Sequence, residues 1–136
     1  MKNVVIVGAG QLGSRHLQAL AAVDIPMQIY VIDPSEDSLS VAVERFNAVN
    51  TKRQSSLTTY STYESLPEHL DLAIISTSAN VRLHVIQTLI EKCTITNWVL
   101  EKVLFQNLNE YKRAIPFPIN ASTTLPNCPS LTATIA

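Results

Sequence analysis

The chain has 136 residues, 46% of them hydrophobic, and a net charge of −1, which is enough for one ordinary domain with its own core. Charged residues make up only 15%, and a pair such as Lys52-Arg53 is no basic stripe of the kind that displaces counterions from nucleic acid. No apolar run approaches the ~20 residues of a membrane span. Val4 to Val7 is too short for a signal-peptide core, and the two distant cysteines, Cys93 and Cys128, form no disulfide framework. The composition therefore reads as a reduced, cytoplasmic protein with no membrane or nucleic-acid partner.

The elements alternate from the first residues. Val4 to Val7 is a continuous β-branched run, as in a strand buried on both faces. Leu12 to Val23 reads as a helix with Leu17, Leu20 and Ala21 on one side. Ile25-Pro26 punctuates, and Gln28 to Ile32 is a second strand ending at Asp33. Leu39, Ala42, Val43 and Phe46 then make an i, i+3, i+4, i+7 helical stripe. Residues 47–63 are polar, with a short strand near Leu57 to Tyr60. Leu72 to Ser76 is a third clear strand, and Ile86, Leu89, Ile90 and Cys93 stripe the helix that follows. Trp98 to Leu100 is another strand, and Leu108, Tyr111 and Ile115 mark a final helix.

This βαβ alternation predicts a single doubly wound α/β domain over residues 1–113, with a parallel sheet and helices on both faces. Residues 114–136 differ in kind, with no charge, four of the seven prolines, six Ser/Thr and no useful periodicity. They read either as a flexible terminus or as sequence foreign to the fold.

All three glycines fall between residues 8 and 13. Gly8-Ala9-Gly10-Gln11-Leu12-Gly13 matches G-x-G-x-x-G, after a buried strand and at the opening of a helix. Gly8 would make the tight turn, Gly10 would admit a pyrophosphate close to the backbone, and Gly13 would let helix and strand pack closely. The N–H groups near Gln11 and Leu12 would face that anion with the helix dipole behind them.

Asp33 ends the second strand 20 residues beyond Gly13, the spacing of the acid that accepts hydrogen bonds from an adenosine ribose. A 2′-phosphate would meet like charge there, so Asp33 favours NAD over NADP as cofactor. The structural alternative is that Asp33-Pro34-Ser35-Glu36 is an N-cap, a proline at N1 and a capping-box glutamate. Ser35 could add a hydroxyl contact.

Three segments together resemble the Gfo/Idh/MocA family of glucose-fructose oxidoreductases and inositol dehydrogenases. Gly13-Ser14-Arg15-His16-Leu17-Gln18-Ala19-Leu20 is similar to the family's loop and first helix. Ile75-Ser76-Thr77-Ser78-Ala79-Asn80, with His84 beyond, is similar to its strand-end segment, and Val99-Leu100-Glu101-Lys102 to its Glu-Lys-Pro motif. The likeness covers residues 2 to about 113 and implies a Rossmann NAD(P)-binding fold.

The resemblance further implies that Ser76, Thr77, Ser78 and Asn80 pass beside the pyrophosphate and nicotinamide ribose, with His84 approaching the cofactor. It places Glu101 and Lys102 near the nicotinamide, where Lys102 would be the catalytic lysine that helps bind substrate and assists proton movement. Val103 stands where the family has proline. The family's second domain, which supplies most substrate contacts, has no counterpart in the tail.

His16, His69 and His84 show no metal-ligand spacing, and Cys93 and Trp98 read as core residues. The expected function is that of the NAD-binding domain of an oxidoreductase. Its parent would transfer hydride between NAD and a sugar or cyclitol-type small-molecule alcohol, while this chain binds cofactor without full catalysis. The alternative is a regulatory module that senses NAD(H). The low charge predicts some self-association as a homo-oligomer.

Overall fold

The unbroken apolar run near the start of the chain is explained by where its side chains go. Val4 and Ile6 point to one face of a sheet and pack with Leu17, Ala42 and Phe46, while Val5 and Val7 point to the other and pack with Leu83, Ile86 and Leu89. A strand covered on both faces has no polar side to show, so its sequence does not alternate.

A computed structural model describes residues 1–101, 107–114, 123–124 and 132–133 of the protein. The first half comprises β1 (Lys2–Val7), α1 (Gln11–Ala22), β2 (Met27–Ile32), α2 (Glu36–Val49) and β3 (Ser56–Tyr60). There follow β4 (His69–Ile75), α3 (Ala79–Lys92), β5 (Thr94–Leu100) and α4 (Leu108–Ala114). Within the tail, β6 (Thr123–Thr124) and β7 (Thr132–Ala133) pair antiparallel.

The main sheet has the order β3-β2-β1-β4-β5, with every neighbouring pair parallel. Helices α1 and α2 cover one face and α3 the other. The chain winds outward from β1 to β3, then returns to the far side of β1 at β4. Strand order reverses there, which opens a crevice at the C-terminal ends of β1 and β4. Among the described residues no helix is long and apolar enough to cross a membrane. An open groove of about 560 Å³ lies between α2 and the edge strand β3, with Leu39, Val43 and Thr59 in its walls.

Several element boundaries differ from the sequence reading. β1 and β4 begin two and three residues earlier, at Lys2 and His69. Two further differences have a clear cause. β5 begins at Thr94, four residues before Trp98. It is an edge strand, and its exposed Thr94, Thr96 and Asn97 hide the strand from any hydrophobic pattern. α2 runs to Val49, through the first residues of the polar stretch 47–63. Trp98 and Cys93 are both buried in the core, and burial pushes the Cys93 thiol above its ordinary range. Ile115 and Cys128 lie outside the described residues.

At the opposite end of the sheet, Asp71 accepts the backbone N–H of Asn3 at 2.8 Å and lies 3.6 Å from Lys2 Nζ. The hydrogen bond from Asn3 is the main cause holding its carboxyl below the ordinary range, with Lys2 and His69 assisting against partial desolvation. A depressed folded pKa gives stability that is present above the unfolded value and is lost as pH falls through the folded one. Asp71→Asn is therefore expected to lower the urea midpoint at neutral pH. The gap to wild type should close as pH falls below the ordinary aspartate value of about 3.9.

Candidate functional site

The glycine loop lies at the crevice where strand order reverses. Gly8 leaves β1 with φ +97°, in the left-handed region, and its N–H donates to Ile32 O at 2.8 Å. A Cβ there would lie 3.0 Å from the backbone of Ser76, so β1 and β4 meet at this turn. Gly13, in the first turn of α1, is tighter still, since its Cβ would fall 1.7 Å from Gly8 O. Gly10 is the opposite case: a Cβ on it would have no neighbour within 4 Å, so the space beside it is open.

Gly10 is also the N-cap of α1, with no side chain capping it and no acidic residue in the first turn. The N–H groups of Gln11, Leu12 and Gly13 precede the first intrahelical bond, which runs from Ser14 N to Gly10 O at 2.9 Å. Helix α2 is built differently. Ser35 caps it by accepting from Ser38 N at 3.3 Å, and Glu36 and Asp37 occupy its first turn. Its positive end is already satisfied, whereas those of α1 and α3 have neither a side-chain cap nor an acidic residue in the first turn. Of these two, α1 is the one that opens from the glycine loop.

The cap of α2 is thus Ser35, not Asp33, which corrects the capping alternative for the acid. Asp33 Oδ2 accepts the Ala9 N–H at 2.8 Å, and Oδ1 accepts the Ser35 N–H at 2.8 Å. The carboxylate therefore ties the glycine loop to the turn after β2, with further lone pairs on both oxygens for a second donor each. Ser35 uses its hydroxyl as the cap. Beside Asp33, the Tyr63 phenol is pushed up, mainly by burial and secondarily by the Asp33 charge. Tyr30 and Tyr60 stack nearby on β2 and β3, with ring centroids 6.2 Å apart.

On the other side of the loop, Ser76 continues β4 by donating its N–H to Val7 O at 2.8 Å. The hydroxyls of Ser76 and Thr77 are buried with no hydrogen-bond partner among the described residues. Such groups each cost about 1–3 kcal/mol, which a side-chain turn toward a polar ligand in the crevice would relieve. Ser78 stands at the N-cap position of α3 without a side-chain capping bond, and donates its hydroxyl to Asn80 Oδ1 instead. Asn80 and His84 are exposed and line a cleft of about 400 Å³ between α3 and α4, with Asn107 and Glu110 across from them.

Glu101 follows β5, and its Oε1 lies 2.6 Å from Nε2 of His16 on α1. A carboxylate only accepts, so Nε2 carries the proton of this bond. Arg82, absent from the sequence reading, is 3% exposed and donates from Nη1 to Glu101 O at 3.1 Å and from Nη2 to Thr77 O at 2.6 Å. Its signal was its phase: Arg82 stands four residues before Ile86, on the apolar stripe of α3. A charge in that register needs buried partners. Lys102 lies outside the described residues.

Comparison with known proteins agrees with this architecture. The Gfo/Idh/MocA family model, described as oxidoreductase family, NAD-binding Rossmann fold, matches residues 2–117. The chain belongs to the Gfo/Idh/MocA family. Solved structures similar to it include a diketoreductase studied for its dual catalysis of dicarbonyl compounds, at 17% identity and a TM-score of 0.54. That alignment covers 73% of this chain and 41% of the diketoreductase chain. The dehydrogenase part of multifunctional enzyme 1 from C. elegans is similar at 18% identity and a TM-score of 0.56, over 88% of this chain and 30% of that one.

At these identities the two structures share a fold with this chain, and the match spans less than half the length of either. A search of the curated proteins finds no match.

As a Gfo/Idh/MocA domain, the chain is an NAD-binding Rossmann domain of an oxidoreductase family. Among its described residues, no group of three or more His, Cys, Asp or Glu side chains could hold a metal ion.

Proposed function

We propose that the chain binds NAD in preference to NADP, across the crevice at the ends of β1 and β4. The observation that carries this reading is the uncapped, acid-free start of α1 beside the open space at Gly10. These features supply donors and room for a pyrophosphate. Gln11, Leu12 and Gly13 present the backbone N–H groups, and Asp33 accepts from the adenosine ribose. Ser76 and Thr77 border the pyrophosphate, with Ser78, Asn80 and His84 beyond them toward α4. Glu101 and Lys102 belong to the nicotinamide side. In the parent enzyme the bound cofactor supplies hydride transfer to or from a secondary alcohol of a sugar or cyclitol, with Lys102 assisting proton movement. This chain contributes the cofactor half of that chemistry.

Asp33 supports NAD because a 2′-phosphate would place negative charge beside a carboxylate that the loop holds in position. Calorimetric titration is expected to show NADH binding roughly tenfold or more tightly than NADPH. Asp33→Ser should shrink that ratio, and also weaken the loop, since Ala9 N–H loses its acceptor. NADPH binding more tightly than NADH would overturn the role given to Asp33. No binding of either at millimolar concentration would overturn the cofactor reading as a whole.

A further inference from the structure

The dinucleotide spans the switch point, with its adenosine half on the Asp33 side. Its other half must then extend over the ends of β4 and β5, where Glu101 stands. We infer that Glu101, held in place by His16, makes the site discriminate between the oxidised and reduced cofactor. This rests on the cofactor reading above and adds a property to it.

The two redox forms differ by one positive charge, located on the nicotinamide ring. A carboxylate beside that ring stabilises the oxidised form and does little for the reduced one. Glu101 is placed for this. Its side chain is 23% exposed, at the rim of the crevice, and one of its oxygens is fixed by His16 at 2.6 Å. In the inferred complex the other oxygen faces the ligand. His16 is itself only 32% exposed and comes from α1, the helix whose start would hold the pyrophosphate. The element that binds the phosphates therefore also orients the carboxylate.

Arg82 is the buried cation nearest this pair, and the contacts to Glu101 O and Thr77 O place its charge beneath the surface. Arg82 and Lys102, the cation given to the nicotinamide side above, shift the preference of wild type, but not the sign of what removing the carboxylate does. Glu101 is thus a selectivity residue, and His16 is a positioning residue that acts through it.

The test is calorimetric affinity for NAD⁺ and for NADH, measured for every variant in the same buffer. Glu101→Gln keeps an acceptor for His16 and removes only the charge. It is expected to weaken NAD⁺ about fivefold, with NADH changing less than about twofold. His16→Ala, which leaves the carboxylate untethered, should move the ratio part of the way in the same direction. His16→Gln, which retains a donor, should restore it. A merely structural pair would weaken both nucleotides equally in every variant. An unchanged NAD⁺/NADH ratio in Glu101→Gln, with binding intact, would overturn this inference and leave the cofactor reading standing. Failure of wild type to bind either form would overturn both.

Discussion

Gly13→Ala is expected to lower the thermal midpoint by more than about 10 °C, corresponding to roughly 3 kcal/mol or more. The added methyl would fall 1.7 Å from the carbonyl oxygen of Gly8, a backbone atom that cannot rotate away like the tip of a side chain. Either α1 lifts off β1 or the Gly8 turn reshapes, and both displace the loop that Asp33 holds through Ala9. Gly10→Ala is the matched control. Its φ is −70°, ordinary for alanine, and its methyl meets nothing within 4 Å. The cost to the fold should be a few degrees at most, mainly from a poorer N-cap residue. Its cost to binding should be large, at least about tenfold in NADH affinity, because the methyl fills space the pyrophosphate needs. One glycine is thus required by the protein and the other by its ligand. Melting curves and NADH titrations of the two variants separate these roles. A Gly10→Ala protein that binds NADH like wild type would place the pyrophosphate elsewhere.

That contrast shows which parts of the site were legible in the sequence. The glycine loop was readable because each position has its own steric demand, and β1 was readable because burial on both faces leaves an unbroken β-branched run. Asp33 was identified as a strand-end acid, yet the local pattern also offered it as a helix cap. The carboxylate is engaged instead by Ala9, 24 residues away, so Ser35 takes the cap. No window around residue 33 contains that information. The start of β5 was hidden for a different reason. An edge strand can expose polar residues where nothing covers it, and Thr94-Ile95-Thr96-Asn97 has neither the apolar run nor the sustained alternation that marks a strand. The pairing of His16 with Glu101 joins residues 85 apart in sequence. Each belonged to a separate recognisable segment, and only the fold brings the two together.

Arg82 is where reading by hydrophobic stripe failed most, and its removal is the second large effect expected. Strands β4 and β5 stop pairing at Ile75 and Leu100. Beyond those residues, no strand among the described residues faces the carbonyls of Thr77 and Glu101 to donate to them. A guanidinium carries five N–H donors in a planar fork and can serve both at once, as Arg82 does at 2.6 and 3.1 Å. Arg82→Met keeps the length and apolar stem of the side chain but leaves both carbonyls without that donor. The expected loss is about 3 kcal/mol, read as a lower urea midpoint with an unchanged slope. Arg82→Lys, a compact cation that reaches one carbonyl well but not both, should recover about half of it. Because Thr77 and Glu101 flank the crevice from two strands, Arg82→Met should also weaken NADH under conditions where the variant is still folded. A midpoint equal to that of wild type would mean that the strand ends hold themselves together, and that the charge on the apolar stripe of α3 has another use.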